Sequence, residues 1–418
     1  AQGVWFRRAF SVAPTCSPSR AALLTGMYPH TCGMHGLASP PWNYRVDCPA
    51  RLLPGVLAAH GYLTALGGVH HIGGKTAADT RAEGFQLLLN DDNRCEDVAD
   101  LHERAAHFVS QPPAVPWFLA VGFDQTHRDN RQGQPDSGSC FSQPTPYDPR
   151  LLPVSDVAPP APLPDTPETR RDFTSFAEGA RRLDERIGHV LAALERSGAA
   201  DNTLVIITTD HGAAFPGMKC NLTDPGLGVM LMLRGPGGFR GGRAIDAMVT
   251  HLDIFPTIAE LAGLRGCDWF EGKSLWPLLD RNAPPLHPAI FAEQGWHDAS
   301  EAARCVRTER YKLVRRADPI GPKAANCDEG PTKCVMLAAG FFERELGHEL
   351  LFDLATDPAE TRNRIDDPSL AGVRAALRES LDAWMCRTND PFLRGETVMP
   401  PGLNGAAQAS PALGERGR

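Results

Sequence analysis

Three apolar runs in this chain each end in a cluster of polar residues. Leu63-Thr64-Ala65-Leu66 leads into Gly67-Gly68-Val69-His70-His71, the run from Trp117 to Phe123 into Asp124-Gln125-Thr126-His127-Arg128, and the run from Thr203 to Thr209 into Asp210-His211-Gly212. Unbroken runs of this kind suit strands buried on both faces of a mostly parallel sheet. Ligands of such sheets bind beyond the carboxyl ends of the strands, so the three polar clusters are expected on one edge. A helical period takes over at Phe173, Phe176, Ala180, Leu183, Ile187, Val190, Leu191 and Leu194, and Gly198 stops it. Arg181, Arg182 and Glu185 then form a solvated face. Between these elements, Gln132 to Pro167 is rich in Pro, Ser and Asp and reads as a long loop over the sheet edge.

The texture changes at Pro284-Pro285. Beyond it, Arg307–Val314, Leu350–Leu354 and a helical stretch near Ser369–Trp384 predict a small α+β unit with an antiparallel sheet. The predicted organisation is an α/β domain over 1–284, a subdomain over 285–394, and a Pro-, Gly- and Ala-rich tail over 395–418 that reads as disordered.

Cys16-Ser17-Pro18-Ser19-Arg20, followed by Leu24-Thr25-Gly26, falls where a short helix begins. Ser17 is the expected N-cap, Pro18 the first helical residue and Gly26 the stop. A thiol at a positive helix end beside a guanidinium lies in a setting suited to anions. On spacing alone, a reactive Cys and a plain Cys beside a helix cap both remain open.

Composition narrows the partners. The chain has 418 residues, 42% hydrophobic and 22% charged, which is ordinary for a globular protein. A net charge of −8 argues against broad binding to nucleic acid or an anionic membrane. No apolar run approaches the roughly 20 residues of a membrane helix. Eleven Cys is an odd number, which fits one modified Cys or a reducing compartment equally. Cys327 and Cys334 flank a Gly-Pro loop and are a candidate bridge.

Cys16 to Arg20 with the trailing Leu24-Thr25-Gly26 resembles the C-x-P-S-R signature of the Cys-type sulfatases. Further likeness runs through Leu183-Asp184-Glu185, Gly272-Lys273-Ser274-Leu275 and Arg307–Lys312. Gly33–Leu37, Pro164–Pro167 and Phe215-Pro216 look most like the heparan N-sulfatase branch. The resemblance implies an alkaline-phosphatase-like α/β fold and hydrolysis of a sulfate ester or sulfamate, on a sulfated glycan or small molecule. It implies that Cys16 is oxidised to formylglycine by a separate formylglycine-generating enzyme. It also implies a divalent metal, usually Ca²⁺, with Asp210, His211 and the modified Cys16 as ligands. Arg20, Lys219, His71 and His127 take the family's sulfate-contacting and proton-transferring positions, and His127 is preferred as general acid. Val69 replaces a family Lys, and Thr126 replaces a family Pro.

Members of the family carry an earlier strand ending in paired aspartates. The sequence from Ala1 lacks it, so the expectation is an N-terminally truncated chain, or a protein that has lost half of its metal site. Compartment stays unassigned, since periplasmic, secreted and lysosomal placements all fit the family. Asp91-Asp92, in an Asn-flanked turn ahead of a helix, are explained by capping rather than metal binding. His102 and His107 on that helix read as surface residues. Two other readings stand beside the hydrolase: a phosphoesterase of the alkaline-phosphatase-like group, and a degenerate chain that only binds sulfated ligands.

Overall fold

The computed structural model describes residues 2–74, 76–90, 98–128, 141, 157–319 and 321–400. In chain order, strand β1 (Val4–Phe10) leads into helices α1 (Cys16–Thr25) and α2 (Pro29–Cys32). Strands β2 (Leu63–Gly68) and β3 (Leu87–Leu88), helix α3 (Leu101–Ser110), strand β4 (Trp117–Gly122) and helix α4 (Pro167–Arg196) follow. Next come β5 (Val205–Thr208), β6 (Gly228–Val229), β7 (Leu231–Arg234) and β8 (Arg243–Thr250). The last part holds β9 (Ala289–Trp296), β10 (Ser300–Thr308), β11 (Tyr311–Arg316), β12 (Glu349–Asp353) and helix α5 (Ala371–Arg387).

Parallel pairing holds for the first two apolar runs: β2 lies between β3 and β4, with Leu63 opposite Trp117. The third run departs from it. β5 pairs antiparallel with β7, in a separate five-stranded sheet where only β1 and β8 run parallel. β4 and β5 are edge strands among the described residues, and every residue in them is half-buried. They still share one apolar cluster, in which Trp117, Leu119 and Val205 pack with Phe108, Ala193 and Leu194. β9 to β12 form the antiparallel sheet, and α5 covers it by setting Leu377, Leu381 and Trp384 against Val306, Leu313 and Leu351.

The helix carrying the Cys motif starts earlier than its sequence suggests. Thr15 is the N-cap, in an extended conformation, and Cys16 is the first helical residue. Ser17 is instead inside the helix, where its hydroxyl accepts the Ala38 N–H at 3.0 Å. Gly26 closes the helix in the left-handed region, φ 69°, as expected. α4 is also longer than its apolar period, because Thr166 caps it from the Thr169 N–H and Pro167 opens it. Arg181 pairs with Glu178 and Glu185 on its solvated face.

Cys327 and Cys334 are both free thiols, Cys327 being turned toward the Asp328 carbonyl. Asp91-Asp92, most of the 132–167 loop and the tail beyond residue 400 lie outside the described residues. Among the described residues, no helix is long and apolar enough to cross a membrane.

Candidate active site

The first residue of α1 sits where the strand ends converge. Cys16 is buried, and its Sγ lies 3.2 Å from His211 Nε2. His211 bonds the Gly212 carbonyl through Nδ1 at 2.8 Å, which directs Nε2 at the sulfur. His127 does the same from the β4 end: Nδ1 meets the Arg128 carbonyl at 2.7 Å, and the ring also hydrogen-bonds Cys16.

Burial alone pushes the Cys16 thiol up, but the charges of Lys219 and His211 and the bonds from His127 and His211 outweigh it. The net result is a thiol held well below its ordinary range. Burial opposes the charge on His211 too, yet Asp210 and Cys16 raise it to about 9. For His127 the bond to Cys16 is the largest influence, and the imidazole is raised. The site therefore favours an anion at position 16, and that anion in turn favours the protonated forms of His211 and His127.

Arg20 and Asp210 lock together one turn into the helix. Arg20 Nε donates to Asp210 Oδ2 at 2.9 Å, and Nη1 donates to the Val69 carbonyl at 3.1 Å. The position that replaces a family Lys thus still contributes through its backbone. Burial would raise the Asp210 carboxyl, but His211 and Arg20 bring it to about 2. Lys219 is buried, and its Nζ donates to Asp328 Oδ2 at 2.9 Å. The next residue, Cys220, has φ +62° and donates its N–H to the Pro14 carbonyl at 2.9 Å. That bond fixes the Lys219 turn against the segment ahead of Cys16.

Six of the seven expected site residues gather here: Cys16, Arg20, His127, Asp210, His211 and Lys219. His71, at φ +59°, has its Nε2 2.7 Å from Ser39 Oγ at the neighbouring strand end. His70 is buried beside Glu83, with 3.1 Å between Nε2 and Oε2. Burial, with Arg20 and His71, takes His70 down to about 3, while burial raises Glu83 to about 8, so the pair is neutral.

Sequence reasoning missed Asp328, which lies in the connection between β11 and β12 of the antiparallel sheet, and His251, which stands 3.1 Å from both Ser19 Oγ and Thr208 Oγ1. Neither carries a local signal. Asp328 lies in an ordinary acidic turn, and His251 follows the strand β8 with no motif around it.

A sequence model described as Sulfatase matches residues 1–264, well over half of the chain. The chain belongs to the sulfatase family. A second model, N-sulphoglucosamine sulphohydrolase, C-terminal, matches residues 219–320 of this sulfatase. Human N-sulphoglucosamine sulphohydrolase is 30% identical over 443 residues, which cover 93% of this chain and 84% of the relative. A Delta 4,5-hexuronate-2-O-sulfatase of Bacteroides thetaiotaomicron is 25% identical, over 94% of this chain and 83% of the relative. A solved 2-O GAG sulfatase superposes with a TM-score of 0.67 at 23% identity, over 96% of this chain and 88% of its own. A phosphonate monoester hydrolase of Agrobacterium radiobacter shares the fold, with a TM-score of 0.65 at 22% identity over 94% and 90% of the two chains.

Sulfatases generally use a Cys-derived formylglycine and a divalent metal. The ligand atoms of Cys16, Asp210 and His211 lie within 4.8 Å of one another, so the strand end and the helix start fit one side of such an ion. Calcium takes six or more oxygens, and these three residues supply only a part of that shell.

Proposed function

We propose that this sulfatase hydrolyses sulfate esters or sulfamates on a sulfated carbohydrate, with residue 16 as nucleophile. The observation that carries this reading is Cys16 at the start of α1, faced by two imidazole nitrogens and set beside Arg20 and Lys219. The named activities of the relatives, on N-sulphoglucosamine and on hexuronate 2-O-sulfate, support it. Conversion of Cys16 by a formylglycine-generating enzyme would supply a hydroxyl nucleophile there, and a divalent ion held by Asp210 and His211, calcium in our reading, would supply added positive charge.

Arg20 and Lys219 hold the sulfate oxygens and stabilise charge that grows in the transition state. Each is matched by a carboxylate, Asp210 and Asp328, which keeps it in place before substrate arrives. His127, its Nδ1 tied to the Arg128 carbonyl, gives a proton from Nε2 to the departing oxygen or nitrogen. His71 is a further sulfate contact, aimed by Ser39. We read residues 285–394 as the subdomain that closes this site.

The test is turnover of aryl sulfate and of glucosamine N-sulfate by the full chain, co-expressed with a formylglycine-generating enzyme and supplied with calcium. Cys16→Ala should abolish turnover while leaving the melting temperature nearly unchanged; hydrolysis retained in that variant refutes the reading. A second reading, a sulfated-glycan binder without turnover, is favoured by the short ligand set around Asp210. Aryl phosphate in the same assay tests the phosphoesterase, and faster phosphate than sulfate turnover would select it.

A further inference from the structure

The carbonyl that aims His127 belongs to a residue gripped from several directions. Arg128 is 3% exposed, and its guanidinium donates to both oxygens of Asp172, from Nη1 and Nη2, at 2.9 Å each. Its Nε donates to the Ala214 carbonyl, just past His211, at 2.7 Å. Phe141 and Phe215 stand against the guanidinium, with ring centres 4.3 and 4.8 Å from Cζ. Asp172, on α4, is held in turn by the N–H and the hydroxyl of Thr332, at 3.2 and 2.5 Å. The backbone of Arg128 also forms an antiparallel bridge to Phe141. Three parts of the chain thus meet on one side chain: α4, the turn after His211 and the helix Pro331–Ala338.

A buried charged pair is a weak source of stability, so stability alone does not account for this anchorage. Its placement gives it a use. His127 opens to solvent, although Arg128 does not. An exposed imidazole keeps its orientation through its own bonds, and Nδ1 of this one meets the Arg128 carbonyl at 2.7 Å. The ring also bonds Cys16, but conversion of residue 16 replaces that sulfur, so the carbonyl bond is the one that lasts. A fixed carbonyl keeps a proton on Nδ1 and leaves Nε2 turned towards residue 16.

We propose that Arg128 is a positioning residue for proton transfer: its guanidinium, locked to Asp172 and the Ala214 carbonyl, fixes the backbone carbonyl that aims His127 Nε2 at the leaving group. This deepens the hydrolase reading and rests on it. As the bond from sulfur to the leaving oxygen or nitrogen breaks, its electron pair stays on the leaving atom, which takes the Nε2 proton. His127 is then a neutral imidazole whose remaining proton, on Nδ1, is still donated to Arg128. A ring turned away cannot deliver the Nε2 proton, and the loss falls on substrates whose leaving group needs one.

The test compares kcat/KM for 4-nitrophenyl sulfate, whose nitrophenolate leaves without a proton, and for phenyl sulfate, whose leaving group needs one, in the converted, calcium-loaded full chain. His127→Ala should lose about 100-fold on phenyl sulfate and under about tenfold on the nitrophenyl ester. Arg128→Met combined with Asp172→Leu removes both buried charges, so the melting temperature should stay close to wild type. Its loss on phenyl sulfate should still exceed its loss on the nitrophenyl ester by at least about tenfold. Arg128→Lys keeps the charge without the two-pronged grip and should show the same selectivity, by about threefold. Equal losses on the two esters in these folded variants, beside a selective loss in His127→Ala, overturn the proposal. Equal losses in His127→Ala refute the general-acid reading instead, and absence of turnover in wild type refutes the hydrolase reading. Orientation is then read without turnover, by long-range proton–nitrogen NMR of the histidine-labelled Cys16→Ala chain at mildly alkaline pH. The His127 proton should sit on Nδ1 in that chain and be shared with Nε2 once Arg128→Met and Asp172→Leu are added. A proton that stays on Nδ1 overturns the proposal.

Discussion

Asp328→Asn removes one charge from a buried pair and leaves the shape almost unchanged. Lys219 and Asp328 side chains are 4% and 5% exposed and 2.9 Å apart. At an effective dielectric of about 20, that distance corresponds to a gross attraction of about 6 kcal/mol before desolvation is subtracted. The carboxyl itself gives a second measure. Burial would raise Asp328, but Lys219, by charge and hydrogen bond, brings it from 3.8 to about 2. Since one pH unit corresponds to 1.36 kcal/mol, this depression contributes about 2.4 kcal/mol. A lowered carboxyl stabilises the fold above its unfolded value, and the contribution is lost as pH falls from about 4 towards 2.

The variant should therefore be about 2–4 kcal/mol less stable at pH 7, within the range for breaking a buried pair. The difference from wild type should fall to about half by pH 3 and close towards pH 2. Urea unfolding at pH 7, 5 and 3, followed by circular dichroism, reads both effects. A loss under about 1 kcal/mol at pH 7, or a difference constant with pH, would refute the reasoning.

His30 contributes in the opposite pH direction. Burial lowers its pKa, but Glu293, by charge and hydrogen bond, and then Asp390 raise it overall, so its share of stability is present below the unfolded 6.5 and fades as pH rises through the raised value. His30→Gln should flatten the alkaline side of the stability profile, measured by thermal unfolding from pH 6 to 9. At the ends of β2 and β4, a Cβ on Gly122 would meet the Val69 carbonyl at 1.9 Å. Gly122→Ala should cost at least about 2 kcal/mol and displace the His71 and His127 loops, lowering kcat more than the Tm change explains. Added calcium should raise the Tm of wild type, and Asp210→Ala should remove that rise; equal rises in both exclude Asp210 as a ligand.

How far the sequence was legible depended on the range of each interaction. Cys16 to Arg20 and the ends of the apolar runs could be read because each motif is local and each run delivers its polar residues to a strand terminus. The period of α4 could be read for the same reason. The start of α1 was displaced because Ser17 and Thr15 are both fair caps, and only the Ala38 N–H, recruited from a distant loop, decides between them. β1 escaped notice because Val4–Phe10 carries two Arg in an otherwise apolar stretch; Arg7 is matched by Asp246 on β8, a partner 239 residues away. The antiparallel placement of β5 was equally hidden, since a pattern buried on two faces does not record the direction of its neighbours. Asp328 enters the site through the packing of a second sheet, and no short motif announces that.

The two edge strands bear on how the protein behaves in solution. β4 and β5 are rich in apolar residues, half-buried throughout, and each presents one flank of backbone N–H and C=O groups with no strand partner among the described residues. Such flanks template pairing with extended segments of other chains. Colloidal behaviour, rather than unfolding, should then limit the concentration at which this chain stays monodisperse.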